Sequence, residues 1–382
     1  MFRSASLLGA TLPMLLLGTA CAQPVDGDLS SEAGTIRVET VVGDLSHPWA
    51  IAVLPDGGML VTEREGRLRH VSADGALSAP LSGVPAVETA GQGGLLDVAL
   101  DPDFAANRLV YLSFSEGGDG GNSTAVARGR LSDDLTALDA VEVIFSQSPK
   151  VDSSGHFGSR LVFGRDGNLF VTLGDRQSGA FRGEAQNLGS HIGKIVRIRP
   201  DGSVPDDNPF VGRAGALPEI WAWGIRNSQA AALHPETGLL WEIEHGPRGG
   251  DELNVIRPGE NYGWPLVTLG VEYSGLTIGD GLKTAPDMVD AIYSWTPVIA
   301  PSGMLFYSGE AFPDWQGDLF VGGLASTALV RLELDGERVV HEERLLEPLK
   351  QRIRDVAEGP DGALYVATDE AEGRILRIVP AR

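Results

Sequence analysis

The chain repeats one pattern of apolar and polar positions: a short apolar strand, a turn rich in Pro, Asp and Gly, and a second apolar strand. The copies lie at residues 51–62, 97–114, 160–174, 231–244, 304–323 and 355–369. Short apolar runs on both sides of such a turn predict antiparallel hairpins. No sustained apolar repeat has the spacing of a helix, so the sequence predicts an all-β protein.

Six such hairpins leave roughly 60 residues for each unit, which fits one propeller blade with its connecting loops. We therefore expect an all-β fold, a six-bladed β-propeller of four-stranded antiparallel blades, with residues 36–382 as a single domain. The alternative is a β-sandwich or barrel whose hairpins resemble one another by chance. A propeller binds ligands on the loops at one face of its channel, and the longer central units are where we expect a site.

The first 22 residues have the pattern of a secretory signal: Arg3, an apolar run at 7–17, and small residues thereafter. Residues 20–22 fit a cleavage site, but the same stretch resembles a lipoprotein signal in which Cys21 carries a lipid anchor. The apolar run is too short to span a membrane comfortably, and no later stretch reaches about 18 apolar residues. We expect an exported periplasmic protein, with an outer-membrane lipoprotein as the alternative.

Composition excludes several classes of protein. The chain has 30 Lys and Arg against 52 Asp and Glu, a formal charge of −22, which argues against nucleic-acid binding. Its single cysteine excludes an internal disulfide framework and cysteine-based zinc, iron–sulfur or haem sites. Lysine is rare among the basic residues, so we expect a bound anion to be held mainly by arginine.

Arg352 and Arg354 alternate along a predicted strand, so both should project to one face. Guanidinium groups suit carboxylate ligands because they form two parallel hydrogen bonds. The alternative is a solvated strand face. The pair lies just before a repeat strand, where loops from several blades converge, and this position favours an anion site.

Two further groups are candidates for chemistry. His156 lies in a loop rich in Gly and Ser, and Asp175 at the other end of the hairpin could set its tautomer and raise its basicity. The alternative is an ordinary surface histidine. The turn at 246–252 combines Gly and Pro with two adjacent carboxylates, which is typical of calcium loops but also of an ordinary acidic turn. Tyr273 could stack on a cofactor, and a buried propeller aromatic would explain it equally well.

Five separated motifs together resemble the soluble pyrroloquinoline-quinone-dependent sugar dehydrogenases, in particular the periplasmic aldose sugar dehydrogenases. They occur in the family's order at 91–96 (GQGGLL), 155–161 (GHFGSRL), 224–227 (GIRN), 245–265 and 351–355 (QRIRD). The resemblance covers residues 43–378, effectively the whole chain after the signal.

By this resemblance, His156 is the catalytic base, Asp175 orients it, and Arg226 stabilises the negative charge of the reduced cofactor. The cofactor, pyrroloquinoline quinone, is a planar dione with three carboxylates, so its site needs cations. The resemblance implies cofactor contacts at Gln92, Arg226, Asn227, Tyr273, Gly323, Leu324, Ala325, Arg352 and Arg354.

The resemblance also implies calcium. The carbonyl groups of Gly246 and Pro247 are expected at an ion that contacts the cofactor, and Glu252 and Tyr262 at a second, structural ion. There is one departure from the family, which often has a lysine where this chain has Ala325. That difference puts full compensation of the cofactor's charge in doubt.

The resulting hypothesis is a quinoprotein oxidoreductase that oxidises the anomeric hydroxyl of aldose sugars to lactones. Hydride would pass to pyrroloquinoline quinone while His156 takes the hydroxyl proton. The partners are then an aldose sugar and an electron acceptor that the sequence does not identify, in a monomer or homodimer. The alternatives are a calcium-dependent, lactonase-like propeller hydrolase, which has no use for three clustered arginines, and a non-catalytic propeller that binds glycans or proteins.

Overall fold

Strands make up nearly all of the regular structure in the computed structural model, which describes residues 25–381. The chain begins with β1 (Gly27–Ser31) and β2 (Gly34–Leu45). Blade 1 follows with β3 (Pro48–Val53), β4 (Met59–Glu63) and β5 (Arg67–Val71). Blade 2 consists of β6 (Leu95–Leu100), β7 (Leu109–Gly118), β8 (Gly121–Leu131) and β9 (Leu138–Ser146).

Blades 3 to 5 each contain four strands. Blade 3 has β10 (Leu161–Phe163), β11 (Leu169–Thr172), β12 (Lys194–Ile198) and β13 (Ile220–Trp223). Blade 4 has β14 (Ser228–Leu233), β15 (Leu240–Glu244), β16 (Asp251–Ile256) and β17 (Tyr293–Trp295). Blade 5 has β18 (Pro301–Phe306), β19 (Leu319–Gly323), β20 (Ala328–Asp335) and β21 (Arg338–Leu345).

Blade 6 closes the ring by joining both ends of the chain. Its strands β22 (Ile353–Glu358), β23 (Leu364–Thr368) and β24 (Gly373–Pro380) pair with β2, which in turn pairs with β1. The helical segments are short: α1 (Phe104–Asn107) and three 3₁₀ turns at Arg182–Gln186, Pro313–Trp315 and Glu347–Leu349. Across residues 25–381, no helix has the length and apolar character needed to cross a membrane.

The prediction of a six-bladed propeller is confirmed. The first strands of successive blades contact one another around the ring, and blade 6 meets blade 1. Every predicted hairpin corresponds to the first two strands of a blade. Four blades have the predicted four strands, whereas blade 1 has three and blade 6 has five. The predicted signal segment, with Cys21, lies outside the described residues.

Adjacent blades are held together by apolar side chains from facing sheets. One cluster joins Trp49 and Leu60 of blade 1 to Leu95 and Val110 of blade 2. A comparable cluster joins blades 4 and 5. Because strand side chains alternate between the two faces of a sheet, each blade can pack against both neighbours.

The channel, by contrast, is fixed by buried charge. Arg160, only 5% exposed, pairs with Asp97 of blade 2 and Asp355 of blade 6, at 2.9 Å each. Its Nε donates to the carbonyl of Gln229 in blade 4 at 2.7 Å, and its guanidinium carbon lies 4.3 Å from the centre of the Trp49 ring. Burial raises the pKa of Asp355 to about 6, and the charge of Arg160 opposes that rise.

We expect Arg160→Met to lower the free energy of unfolding by about 3–5 kcal/mol, because two carboxylates would stay buried without their cation. Chemical denaturation of the two proteins measures the difference. Arg338→Met is the control: Arg338 pairs with Asp335 at the surface, where both side chains are mostly exposed, and its removal should cost little. Equal effects of the two substitutions would contradict the role of Arg160.

Candidate functional site

A cavity of about 200 Å³ lies at one end of the channel, where loops from five blades meet. The first strand of each blade begins at this end and the second strand ends there, so equivalent repeat positions converge on the cavity. Its wall is formed by Trp49, Arg64, Gln92, Gln229, His245, Ala300, Leu324, Arg352, Arg354 and Asp369.

Both predicted arginines of blade 6 face this cavity and bind the same carboxylate. The NH2 atoms of Arg352 and Arg354 lie 2.9 and 2.6 Å from Oδ2 of Asp369. Burial raises the pKa of Asp369, but the charge of Arg354 and the hydrogen bonds from both arginines outweigh it and hold the pKa well below its usual range. Arg352 is half-exposed, while Arg354 is buried and also donates to Oε1 of Gln229 at 2.8 Å.

His156 and Asp175 form the predicted pair. Nδ1 of His156 lies 2.6 Å from Oδ1 of Asp175, and both residues are buried. The alternative of a surface histidine is therefore wrong. Burial lowers the pKa of His156; the hydrogen bond to Asp175 opposes this effect, and the nearby charge of Arg226 adds to it. An ionised carboxylate only accepts hydrogen bonds, so the neutral imidazole carries its proton on Nδ1 and leaves the lone pair of Nε2 free.

His156 is joined to the wall of the cavity through Gln92. The backbone N–H of His156 donates to Oε1 of Gln92 at 2.8 Å, and Gln92 lines the cavity. Next to it, the backbone N–H of Gly158 donates to Oδ1 of Asn227 at 3.1 Å. Two predicted cofactor residues thus hold the loop that carries the histidine.

Arg226 is buried beside this pair. Its NH1 donates to the carbonyl of His245 at 2.6 Å and to that of Gly246 at 2.9 Å. The Gly246 carbonyl, predicted as a calcium ligand, therefore has an arginine as its present partner. Nε of Arg226, like Nε of Arg354, is buried without a hydrogen-bond partner among the described residues, so both cations retain a donor.

The other predicted residues lie at different depths. Leu324 lines the cavity, and its carbonyl accepts from NH1 of Arg352 at 3.3 Å, whereas Ala325 is exposed beyond the end of β19 after Gly323. Tyr273 is 68% exposed, so the alternative explanation as a buried aromatic is wrong. Its stacking on a cofactor stays a prediction.

Comparison with known proteins shows the family of the chain. The family model for glucose/sorbosone dehydrogenase matches residues 45–377. The chain belongs to this family. It is 46% identical to aldose sugar dehydrogenase YliI of Escherichia coli K12 over 372 residues, which cover 97% of each chain.

Two solved structures are similar as well. The apo-form of the soluble aldose sugar dehydrogenase of Escherichia coli has a TM-score of 0.87 at 48% identity, covering 91% of this chain and 100% of that one. The PQQ-bound aldose sugar dehydrogenase of Streptomyces coelicolor has a TM-score of 0.74 at 29% identity, covering 90% and 98%.

In this dehydrogenase-family chain, three carboxylates share one buried face of blade 4. Glu242 lies opposite Asn254 and Glu244 opposite Glu252 in the register of β15 and β16. Burial raises all three pKa values, to about 8 for Glu242, to about 7 for Glu252 and well above normal for Glu244, and neighbouring carboxylates add to the effect. Oε2 of Glu242 and Oδ1 of Asn254 have no partner among the described residues.

A void of about 10 Å³, close to the smallest that admits one water, lies between Glu244, Glu252 and Tyr262. Among the described residues, no group of three or more His, Cys, Asp or Glu side chains is arranged to hold a metal ion. Backbone carbonyl groups would have to complete any such site. The calcium roles of Gly246, Pro247, Glu252 and Tyr262 therefore stay predictions.

Sequence reasoning missed several residues of the site. Asp369, Gln229 and His245 line the cavity, and Trp264 contacts Asp175. Burial and the nearby His156 lower the pKa of His245 to about 3, so its neutral ring donates from Nε2 to the carbonyl of Pro301. One signal was present in the sequence: an acidic residue ends or follows the second strand of four repeats, namely Glu63, Asp175, Glu244 and Asp369.

The raised pKa values predict how stability depends on pH in protein freed of divalent cations by a chelator. Between about pH 4.5 and 8 the folded state keeps protons on Glu242 and Glu252 that the unfolded state has lost, so the free energy of unfolding falls as pH rises. Denaturation midpoints of wild type and Glu242→Gln across this range measure the effect.

The slope should be shallower in Glu242→Gln, whose amide stays neutral and can donate to Oδ1 of Asn254. Glu236→Gln, at an exposed turn, is the control and should keep the slope of wild type. If Glu242→Gln also keeps that slope, Glu242 is ionised in the folded protein and the raised pKa is wrong.

Proposed function

We propose that this protein is a quinoprotein sugar dehydrogenase that oxidises the anomeric hydroxyl of aldoses to lactones. The observation that carries the proposal is a buried His156–Asp175 pair that Gln92 joins to the cavity lined by Arg352 and Arg354. The relatives named above support it, since two are aldose sugar dehydrogenases and a third is a PQQ-bound form of one.

The chemistry of the cavity fits the cofactor. Carboxylates of pyrroloquinoline quinone would bind the arginines, because Arg352 is open to the cavity and the buried Arg226 and Arg354 each retain an Nε–H donor. Gln92 and Asn227 offer amide groups beside them. When bound, the quinone supplies an acceptor for the hydride from C1 of the sugar.

The role of His156 follows from its tautomer. Nδ1–H is held by Asp175, so Nε2 is the atom that takes the proton of the anomeric hydroxyl as the C1–O bond becomes a carbonyl. Asp175 stabilises the imidazolium that forms. The charge of Arg226 lowers the pKa of His156, which favours release of the proton to solvent once the sugar is oxidised. Arg226 is also placed to stabilise negative charge on the reduced cofactor.

We also propose that calcium binds in blade 4. Hard cations take carboxylate and carbonyl oxygens, and the buried face of Glu242, Glu244 and Glu252 offers carboxylates that form no ion pair among the described residues. An ion at Glu252 and Tyr262 would lower these pKa values. Calcium should therefore remove the pH dependence of stability described above, and an unchanged dependence at saturating calcium would argue against the site.

A second ion is proposed at the carbonyl groups of Gly246 and Pro247, where it would polarise the dione. The hydrogen bond from Arg226 to Gly246 would have to yield to that ion. We further propose that residues 1–22 direct export to the periplasm, with lipidation of Cys21 as the alternative.

The hydrolase alternative is less well supported. A metal-dependent lactonase needs channel carboxylates that are free to bind the metal. Asp97 and Asp355 are instead paired with Arg160, and Asp369 with Arg352 and Arg354. The same arginines suit an anionic cofactor.

Purified protein given pyrroloquinoline quinone and calcium should show the absorbance of bound quinone, and an aldose should convert it to the reduced form. His156→Ala should bind the quinone normally but turn over at least about 10²-fold more slowly. The control is His234→Ala, a histidine at the opposite end of blade 4, which should retain activity. Bound quinone that no aldose reduces would count against the sugar dehydrogenase.

The arginines should dominate cofactor affinity. Loss of one partner from a desolvated charge-assisted pair costs about 2–5 kcal/mol, so Arg352→Ala and Arg354→Ala should weaken quinone binding roughly 30-fold or more. Titration of the cofactor-free variants measures this. Arg344→Ala, on the outer strand of blade 5, is the control. Arg354→Ala leaves Asp369 buried and unpaired, so its unfolding midpoint must be checked before its affinity is interpreted.

Ala325→Lys tests whether the lysine that the family often has at this position would strengthen cofactor binding. If the new ammonium reaches a cofactor carboxylate, affinity should rise, and Ala325→Gln provides the uncharged control. Wild-type affinity in both arginine variants would place the quinone elsewhere and favour the hydrolase.

A further inference from the structure

The Asp175 carboxylate has a second partner besides His156. Nε1 of Trp264 donates to Oδ2 of Asp175 at 2.8 Å, while Oδ1 accepts from His156 and from the backbone N–H of Gln177. Among the described residues, Oδ2 of Asp175 accepts a hydrogen bond from this indole alone. Trp264 itself is 5% exposed.

The backbone of Trp264 is held in place from two sides. The backbone N–H of Trp264 donates to the carbonyl of Gly224 at 2.9 Å, in the turn that leads to Arg226. Its carbonyl accepts from the side chain of Gln186 at 2.7 Å, in the loop that follows Asp175. The guanidinium carbon of Arg226 lies 5.2 Å from the centre of the ring. Trp264 therefore contacts two residues of the candidate catalytic set.

We propose that Trp264 is a positioning residue that acts through Asp175 on His156, an inference that rests on the proposed function. A carboxylate held at one oxygen can still rotate about its last side-chain bond, whereas donors on both oxygens fix its plane. The fixed plane keeps Nδ1–H of His156 directed at Asp175 and Nε2 directed at the substrate. Trp264 does not itself touch the reacting atoms.

Trp264→Phe removes the N–H and keeps an aromatic ring. Because a hydrogen bond to a charged group contributes about 1.5–3 kcal/mol, kcat should fall about 10- to 100-fold, with quinone affinity and the KM for sugar unchanged. Trp223→Phe is the matched control, since its indole donates to the carbonyl of Gly259 and not to Asp175. Equal kcat values in the two variants would overturn the proposal.

The tautomer of His156 gives a readout that a merely structural role would not move. Nitrogen NMR of histidine-labelled, cofactor-free protein should show one neutral Nδ1–H form in wild type and in Trp223→Phe. In Trp264→Phe we expect a mixture of tautomers. The charged or titratable groups around the ring are Asp175, Arg226, Arg176 and His245, and they are the same in all three proteins.

A double-mutant cycle completes the test. In an Asp175→Ala background, Trp264→Phe should cause no further loss of kcat, because the acceptor is already gone. A further tenfold loss there, or a single wild-type tautomer in Trp264→Phe, overturns the proposal. If wild type oxidises no sugar, the proposed function fails, while the NMR experiment on cofactor-free protein still decides whether Trp264 positions His156.

Discussion

The ion pairs of Arg160 with Asp97 and Asp355 are the interaction on which the candidate site depends. Apolar contacts join each blade only to its neighbours, whereas this guanidinium binds groups from blades 2, 4 and 6 and stacks on Trp49 of blade 1. Asp97 and Asp355 also accept hydrogen bonds from backbone N–H groups of the first strands, those of Leu161 and Ile51. Because the starts of the first strands are fixed in this way, the loops that lead into them are held close to one another.

Charge at the cavity follows from the same repeat. In four repeats the second strand ends in or is followed by an acidic residue, and arginines can approach it, as Arg352 and Arg354 approach Asp369. Where the acidic residue meets a histidine, as at Asp175, burial lowers the pKa of His156 and the nearby arginines add to that effect. Positive charge at the cavity and a neutral imidazole beside it thus arise within one buried arrangement of charges.

Blade 4 differs because three of its buried acidic residues form no ion pair with a side chain among the described residues. Glu242, Glu244 and Glu252 face one another across two paired strands, and their burial makes ionisation unfavourable. Glu242 and Glu252 therefore keep their protons to a higher pH than usual. The loops of the same blade carry Trp264, which contacts Asp175, and the Gly246 carbonyl, which contacts Arg226. A shift of these loops would therefore move groups that contact both residues.

The sequence alone determined the hairpins, the number of blades, the pairing of His156 with Asp175 and the shared face of Arg352 and Arg354. These features depend on strand alternation and turn chemistry over short stretches, or on motifs in a recognisable order. It did not determine the three strands of blade 1, the exposure of Tyr273, or the partners of the charged groups.

Those partners were decided by the tertiary structure. Trp264 and Asp175 are 89 residues apart in the chain, and Ile51 donates to Asp355 across 304 residues. Such contacts depend on the angle between blades and on which buried donor reaches which oxygen. No local pattern encodes either quantity, because both arise only when the ring closes and water leaves the channel.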